Sequence, residues 1–124
     1  MSEWSFFFPL WPPSTNHIWR FGKRAHLTPA AANFRDAVQL YMMQARGKGF
    51  MPRHPLRGKL GVRLVFHQPD RKRRDLDNLL KSTLDALTKA GLWLDDSQID
   101  RLDVSHGEPD PQKLGSFWIR VEEL

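Results

Sequence analysis

The chain has 124 residues, of which 40% are hydrophobic and 27% charged; it contains no cysteine, and its formal net charge is +5. This length fits one domain with a hydrophobic core, and the composition is typical of soluble globular proteins. No apolar run approaches the length of a membrane span, and the lack of cysteine excludes disulfides and thiolate metal sites. The sequence therefore predicts a single domain over residues 1–124, in the cytoplasm and without a membrane partner.

The charge is distributed unevenly along the chain. Residues 1–62 hold nine Lys/Arg and two Asp/Glu, whereas residues 63–124 hold ten and twelve, so their net charges are +7 and −2. The basic half favours a polyanion such as nucleic acid, although a merely solvated charged face is the alternative. The five histidines show no pairing at helical spacing, which disfavours zinc. A bound metal would therefore be held by carboxylates, which suit magnesium or manganese.

Hydrophobic periodicity predicts the first half of the fold. The aromatic run Trp4–Leu10 is typical of a strand rather than a signal peptide, and an irregular basic stretch follows over residues 11–26. Thr28 and Pro29 begin a helix that runs to about Arg46. Its predicted buried residues are Phe34, Val38, Tyr41 and Met42. Residues 47–58 are predicted to be a loop, and the segment most prone to disorder.

The second half continues the alternation of strands and helices. Residues 59–68 alternate as a half-buried strand, and a second helix begins at Asp75 or its neighbour and ends near Gly91. Its predicted buried stripe consists of Leu76, Leu80, Leu84 and Leu87. The last two strands, Ile99–His106 and Phe117–Glu122, are predicted to form an antiparallel hairpin. The order β-α-β-α-β-β predicts a small α/β (α+β) domain with two main helices packed on a mixed β-sheet.

The segment from Asp70 to Asp96 combines basic and acidic clusters. Four consecutive basic residues precede two carboxylates one residue apart, and a second acidic pair follows the helix. In order, these residues are Arg71, Lys72, Arg73, Arg74, Asp75, Asp77, Asp95 and Asp96. Basic residues hold phosphates, whereas grouped carboxylates hold divalent cations. Together they indicate a metal-dependent nuclease.

Each acidic feature also has an ordinary structural explanation. Asp75 and Asp77 suit the capped first turn of a helix, worth about 0.5–2 kcal/mol for the cap. Asp77, Lys81 and Asp85 have the spacing of a surface ion-pair ladder. Asp95 suits an Asx turn before Ser97. The residues by themselves leave the structural and the catalytic interpretation open.

Longer motifs decide between these interpretations. The segment PDRKRRDLDNLLKSTLDALTKAGLWLDDSQ resembles the RusA-like Holliday junction resolvases, endodeoxyribonucleases of bacteria and their phages. The N-terminal WPPSTN is similar to the W-P-P-S-x-N motif of that family, and FRDAV also corresponds. The resemblance covers most of the chain and is weakest over residues 44–58 and after Asp103. Thr15, His17 and the long basic segment 46–59 depart from the family pattern, which affects DNA contacts more than chemistry.

The resemblance implies specific roles for matching positions. The catalytic residues would be Asp75, Asp77, Lys81 and Asp96, of which the three aspartates would bind Mg²⁺, with Mn²⁺ as a substitute. Asn78 and Asp95 are matching neighbours of lesser weight. Phosphate contacts are expected from the basic run Arg71, Lys72, Arg73 and Arg74.

The implied function is magnesium-dependent hydrolysis of Holliday junctions by paired nicks on opposed strands, in DNA recombination and repair. A junction is nearly two-fold symmetric, so a homodimer is expected, without a small-molecule cofactor and associated with the nucleoid when bound to DNA. Two alternatives stay open: a metal-dependent nuclease that prefers flaps or forks, and a non-catalytic module that binds DNA junctions. A plain structural protein would not need both acidic pairs and the basic run.

Overall fold

The computed structural model describes residues 2–14, 19–20 and 26–124. In chain order the elements are β1 (Glu3–Phe8), β2 (Trp19–Arg20), β3 (His26–Leu27), α1 (Pro29–Gly47), β4 (Leu60–His67), α2 (Leu76–Lys89), a single-turn 3-10 helix (Asp96–Gln98), β5 (Ile99–His106) and β6 (Ser116–Glu123). The short strands β2 and β3 pair with each other. The other four strands form one mixed sheet in the order β1-β6-β4-β5, which confirms the predicted fold class.

The sheet is mixed because β5 runs parallel to β4, whereas β6 runs antiparallel to both β4 and β1. The predicted hairpin of the last two strands is therefore wrong, since β4 lies between them. The connection after β5 explains this arrangement. The amide of Gly107 donates to Phe66 O (2.9 Å) and that of Asp110 to Gln68 O (2.7 Å). The chain thus crosses the end of β4 before β6 begins on the far side.

Helix α1 forms as its sequence predicts. Thr28 Oγ1 accepts a hydrogen bond from the Ala31 amide (3.3 Å), and Pro29 occupies the first turn, where its missing N–H costs nothing. The buried face consists of Ala31, Phe34, Val38 and Met42. Tyr41 lies at the border of that face, and its hydroxyl donates to Phe7 O (2.6 Å). This bond links the helix to the edge strand β1.

Helix α2 buries a face that is rotated from the predicted one. Its buried residues are Leu79, Ser82, Thr83, Ala86 and Leu87, whereas the predicted Leu76, Leu80 and Leu84 are only partly buried. Two hydroxyls shift the face, because internal hydrogen bonds let them leave water. Ser82 Oγ donates to Pro13 O (2.7 Å) and Thr83 Oγ1 to Leu79 O (2.9 Å). The predicted stop is confirmed, since Gly91 has a φ of 85°.

The loop over residues 47–58 is anchored, so the expectation of disorder is wrong. Met51 and Leu56 are buried in the core, and the Leu56 amide donates to Leu92 O (3.0 Å). The Arg46 guanidinium donates to Pro52 O (3.1 Å) and to Gly91 O (2.7 Å). These contacts join the loop to the ends of both helices. Glycine, proline and basic residues predicted an irregular path correctly, but two apolar residues were enough to anchor it.

One face of the sheet carries the core. Leu60, Val62, Leu64 and Phe66 alternate along β4 and pack with residues of α1 and α2, whereas Arg63 is exposed on the other face. Strand β5 is an edge strand without a fully buried residue. Within the described residues, neither helix combines the length and the apolar character needed to cross a membrane.

Candidate active site

The basic loop before α2 is organised by Asp70. Its carboxylate accepts hydrogen bonds from Arg74 Nη1 (2.6 Å) and Nη2 (3.2 Å), and from the Lys72 amide (3.0 Å). The hydrogen bond from Arg74, followed by that from the Lys72 amide, lowers the pKa of Asp70 to about 2. Gln68 Nε2 donates to Lys72 O (2.9 Å) on the same turn. The carboxylate thus stays ionised at neutral pH and holds the loop closed.

The four predicted phosphate ligands fall into two groups. Arg71, Lys72 and Arg73 are exposed. Arg74 is half-buried, because its guanidinium is bound to Asp70 and lies 5.7 Å from the centre of the Trp11 ring. A cation over an indole face is attracted by the ring quadrupole. Arg74 therefore helps to shape the loop, while its three neighbours extend into solvent.

Asp75 and Asp77 lie at the N-terminal end of α2. Asp75 is the N-cap residue with extended backbone (φ −80°, ψ 135°), yet its side chain makes no capping hydrogen bond. Asp77 follows in the first turn, and both side chains are exposed. Helix capping therefore does not account for the Asp75 carboxylate. The helix dipole favours negative charge at this end, and the basic loop precedes it in the chain.

Lys81 lies one turn beyond Asp77. Its Nζ is 3.8 Å from Asp85 Oδ2, and Asp85 is also 4.0 Å from Arg35 Nη2. Both pairs are long, and the side chain of Lys81 is 58% exposed. Such an ion pair contributes little to stability. The Lys81 side chain is therefore held only weakly in its present position.

An open cleft of about 350 Å³ borders Asp75. Its lining comprises Trp11, Pro12, Ser14, Arg73, Arg74, Asp75, Asn78 and Leu79. Trp11 forms one wall and packs edge-on against Phe66, with ring centroids 6.0 Å apart. The sequence did not predict that Trp11 lies beside Asp75. The W-P-P-S motif was the available signal. Thr15 and His17, which depart from the family pattern, lie outside the described residues.

The second acidic pair belongs to the 3-10 turn before β5. Asp95 accepts hydrogen bonds from the Ser97 hydroxyl and the Ser97 amide (3.2 Å). These bonds, the hydroxyl first, lower the pKa of Asp95. The structural interpretation of Asp95 is therefore confirmed, since its carboxylate closes an Asx turn. Asp95 and Asp96 are both exposed.

The side chain of Gln98 holds the 3-10 turn in place, a role that was not predicted from the sequence. Its Oε1 accepts from the amides of Leu94 and Asp95 (2.8 Å each), and its Nε2 donates to Leu56 O and Gly58 O (2.9 Å each). Asp95 and Gln98 form a capping box, whose D-x-x-Q spacing was visible in the sequence. Only the structure shows that the same amide also reaches the loop before β4.

One chain does not bring the three predicted metal ligands together. Ile99 pairs with Leu60 at the start of β4, so Asp96 lies near that end of the sheet. Trp11 connects the Asp75 region to Phe66 near the other end of β4, and the eight residues of that strand extend over about 23 Å. The chain reversal at Gly91 thus leaves the acidic pairs apart. Consistently, residues 2–14, 19–20 and 26–124 contain no group of three carboxylates or histidines able to share a metal ion.

Comparison with known proteins identifies the family. The family model for endodeoxyribonuclease RusA matches residues 9–116. A protein of Enterobacteria phage 82 named crossover junction endodeoxyribonuclease is 44% identical over 90 residues, which is 72% of this chain and 71% of the relative. A protein of the same name from Escherichia coli K12 is 42% identical over 100 residues, which is 80% of this chain and 78% of the relative. The match covers both acidic pairs, the basic loop and the Trp11 wall, and the chain belongs to the RusA endodeoxyribonuclease family.

Proposed function

We propose that this protein is a crossover junction endodeoxyribonuclease that resolves four-way DNA junctions by hydrolysing one phosphodiester bond on each of two opposed strands. One observation carries the proposal: two exposed carboxylates, Asp75 and Asp77, begin α2 directly after a basic loop that Asp70 holds in shape. The names of the relatives support the same activity. The enzyme would act in recombination and repair, in the cytoplasm and on the nucleoid when bound to DNA.

The donor chemistry fits a hard divalent cation. Asp75 and Asp77 offer exposed carboxylate oxygens, which suit Mg²⁺, with Mn²⁺ as a substitute. Bound there, the ion would neutralise phosphate oxygens and lower the pKa of a water molecule. We assign Asp75, Asp77 and Asp96 as its ligands. No small-molecule cofactor is needed for this hydrolysis.

The basic residues would bind and orient the substrate. Arg71, Lys72 and Arg73 extend from the loop, where they can hold backbone phosphates next to Asp75. Lys81 would donate to the scissile phosphate, because its long ion pair with Asp85 is weak enough to exchange. Arg74 would act mainly through the loop that it shares with Asp70.

A homodimer would supply what one chain lacks. Within a chain Asp96 is separated from Asp75 and Asp77 by roughly the length of β4, about 23 Å. In a two-fold symmetric dimer, Asp96 of one copy can complete the pair of the other, and two such sites face two opposed strands. The symmetry of the substrate supports the same arrangement. A monomer at working concentration by light scattering would contradict it.

The test is cleavage of a synthetic four-way junction, with linear duplex and splayed-arm controls, with and without Mg²⁺. We expect paired symmetric nicks on the junction alone, and only with metal. Asp77→Asn should abolish cleavage but retain junction binding, whereas Asp103→Asn, an exposed aspartate on β5, should cut normally. Tight binding without nicks would favour a non-catalytic module. Cutting of the splayed arm would favour a flap or fork nuclease.

Mixing two inactive variants tests completion of the site by a second chain. Asp77→Asn and Asp96→Asn proteins should each fail to cut. Mixed and allowed to exchange subunits, they form heterodimers in which one site has all its aspartates and the other has none at positions 77 and 96. Restored single-strand nicking would support a shared site. A mixture as inactive as its components, with subunit exchange demonstrated, would place all ligands within one chain.

A further inference from the structure

We propose that Gln98 is a positioning residue that fixes Asp96 relative to the cationic segment of residues 53–59. This segment precedes β4 and is distinct from the basic loop before α2. The inference rests on the role proposed above for Asp96. It extends that role by naming the side chain that controls where this carboxylate stands. It also connects the carboxylate to exposed cations that the proposed mechanism does not yet use.

The hydrogen bonds of Gln98 use the full capacity of its amide. A primary amide has two acceptor sites and two donor hydrogens. Here Oε1 accepts from the amides of Leu94 and Asp95, while Nε2 donates to the carbonyls of Leu56 and Gly58, all at 2.8–2.9 Å. Asparagine is the other standard side chain with a primary amide, and it is one methylene shorter than glutamine. The position therefore requires glutamine.

These bonds attach a turn whose other side-chain hydrogen bonds are internal. Asp95 bonds to Ser97 inside the turn, and Leu94, Asp95 and Asp96 are exposed. In the part of the chain that the structure describes, the side-chain hydrogen bonds that leave residues 94–98 are the two from Gln98 Nε2. Backbone pairing anchors the turn on either side, at Trp93 with Leu56 and at Ile99 with Leu60, and Gln98 is the side chain that ties the residues between them to the loop before β4.

The loop that Gln98 binds carries three exposed cations. The carbonyls that Gln98 binds flank Arg57, and Arg53 and Lys59 lie nearby in the same loop. All three side chains are exposed, and Lys59 makes a long ion pair of 3.7 Å with Asp100. Cations of this kind hold DNA phosphates in register. A strand bound by the loop would therefore be placed at a set distance from Asp96.

The test compares Gln98→Glu and Gln98→Ala with Gln39→Ala, a substitution on the exposed face of α1. Glutamate keeps the two acceptor bonds and loses both donor bonds. We expect both Gln98 variants to weaken Mn²⁺ binding, measured by electron paramagnetic resonance, and to slow single-turnover cleavage by about 10–100-fold, as loss of a residue that orients a metal ligand does. Junction affinity without metal should match that of Gln39→Ala, and Gln98→Glu should still fold cooperatively, with a lower thermal midpoint because two donor bonds are lost.

Parallel measurement of Asp96→Asn separates this inference from the proposed function. If Asp96→Asn is inactive while folded Gln98→Glu binds Mn²⁺ and cuts like wild type, the inference is overturned and the role of Asp96 stands. Normal cutting by Asp96→Asn overturns both. If neither Gln98 variant folds, amide exchange in the wild-type protein decides: added Mn²⁺ should slow exchange at Leu94 and Asp95, and unchanged exchange would count against the proposal.

Discussion

Removing the exposed cations of the basic loop should reduce the salt dependence of junction binding by a predictable amount. Arg71, Lys72 and Arg73 are exposed, whereas Arg74 is bound to Asp70. Each cation that neutralises one phosphate contributes about 0.9 to the slope of log K against log salt. Three contacts therefore contribute about 2.7 for each chain that engages the DNA.

The consequence is large over an ordinary range of salt. Between about 50 and about 200 mM, a slope difference of about 2.7 changes the ratio of affinities by about 40-fold for each chain. The triple variant Arg71→Gln/Lys72→Gln/Arg73→Gln should therefore bind more weakly at low salt and lose less affinity as salt rises. Fluorescence anisotropy with a labelled junction, in the presence of a chelator to prevent cleavage, measures both slopes.

A charge-matched variant distinguishes local contacts from net charge. Lys48→Gln/Arg63→Gln/Lys113→Gln removes three exposed cations from other surfaces and should leave a slope close to that of wild type. Equal slopes for wild type and the loop variant would refute direct phosphate contacts by this loop. A slope reduced equally in both variants would show that only the overall field attracts the DNA.

Three further predictions concern the fold that presents the site. Because the hydrogen bonds from Arg74 and the Lys72 amide lower the pKa of Asp70 to about 2, its contribution to stability is complete above the ordinary value of 3.8 and is lost as the pH falls through about 2. The difference in thermal midpoint between wild type and Asp70→Asn should therefore be greatest above about pH 4 and shrink below it. A constant difference from about pH 2 to about pH 6 would contradict the role of Asp70 ionisation. Gly115→Ala should cost about 1–3 kcal/mol in urea unfolding, since Gly115 has a φ of 88° and an added Cβ would stand 2.8 Å from Trp11 Cβ. Gly58→Ala, with no atom within 4 Å, is its control, and equal costs would argue against a specific clash. Leu64→Ala, at a fully buried site of β4, should destabilise by about 2–5 kcal/mol, against about 0.5 kcal/mol or less for Leu114→Ala, which is 72% exposed. Similar unfolding midpoints for these two variants would refute the assigned core.

Local signals predicted most of the elements. Thr28 and Pro29 predicted the start of α1, Gly91 predicted the end of α2, and hydrophobic alternation predicted β4. These features could be predicted because each of them depends on residues that are close together in the sequence. The pairing of strands depends on contacts between distant segments. Alternation in β5 and β6 is the same whether the two strands pair with each other or on opposite sides of β4, so the hairpin was predicted wrongly.

In the candidate site, too, the local features were predicted from the sequence and the contacts between distant segments were not. Composition and motif predicted Asp75, Asp77 and the basic loop, which the structure places at the start of α2. The distance from Asp96 to Asp75 was not accessible, because it depends on which end of β4 the chain reaches after Gly91. The four bonds of Gln98 also join segments about 40 residues apart, and sequence spacing predicts only the two inside the turn.

The position of β6 inside the sheet has a consequence for how the chain folds. β6 follows every other element in sequence, yet it pairs with both β1 and β4, and Glu3 stands opposite Glu122. During synthesis, β4, α2 and β5 become available before β6 and can associate, while Phe6 and Phe8 of β1 still lack the strand that pairs with them. Closing contacts between such distant segments slows folding. The sheet therefore cannot close, and the aromatic side chains of β1 cannot take their places in it, until Ser116–Glu123 is available for pairing.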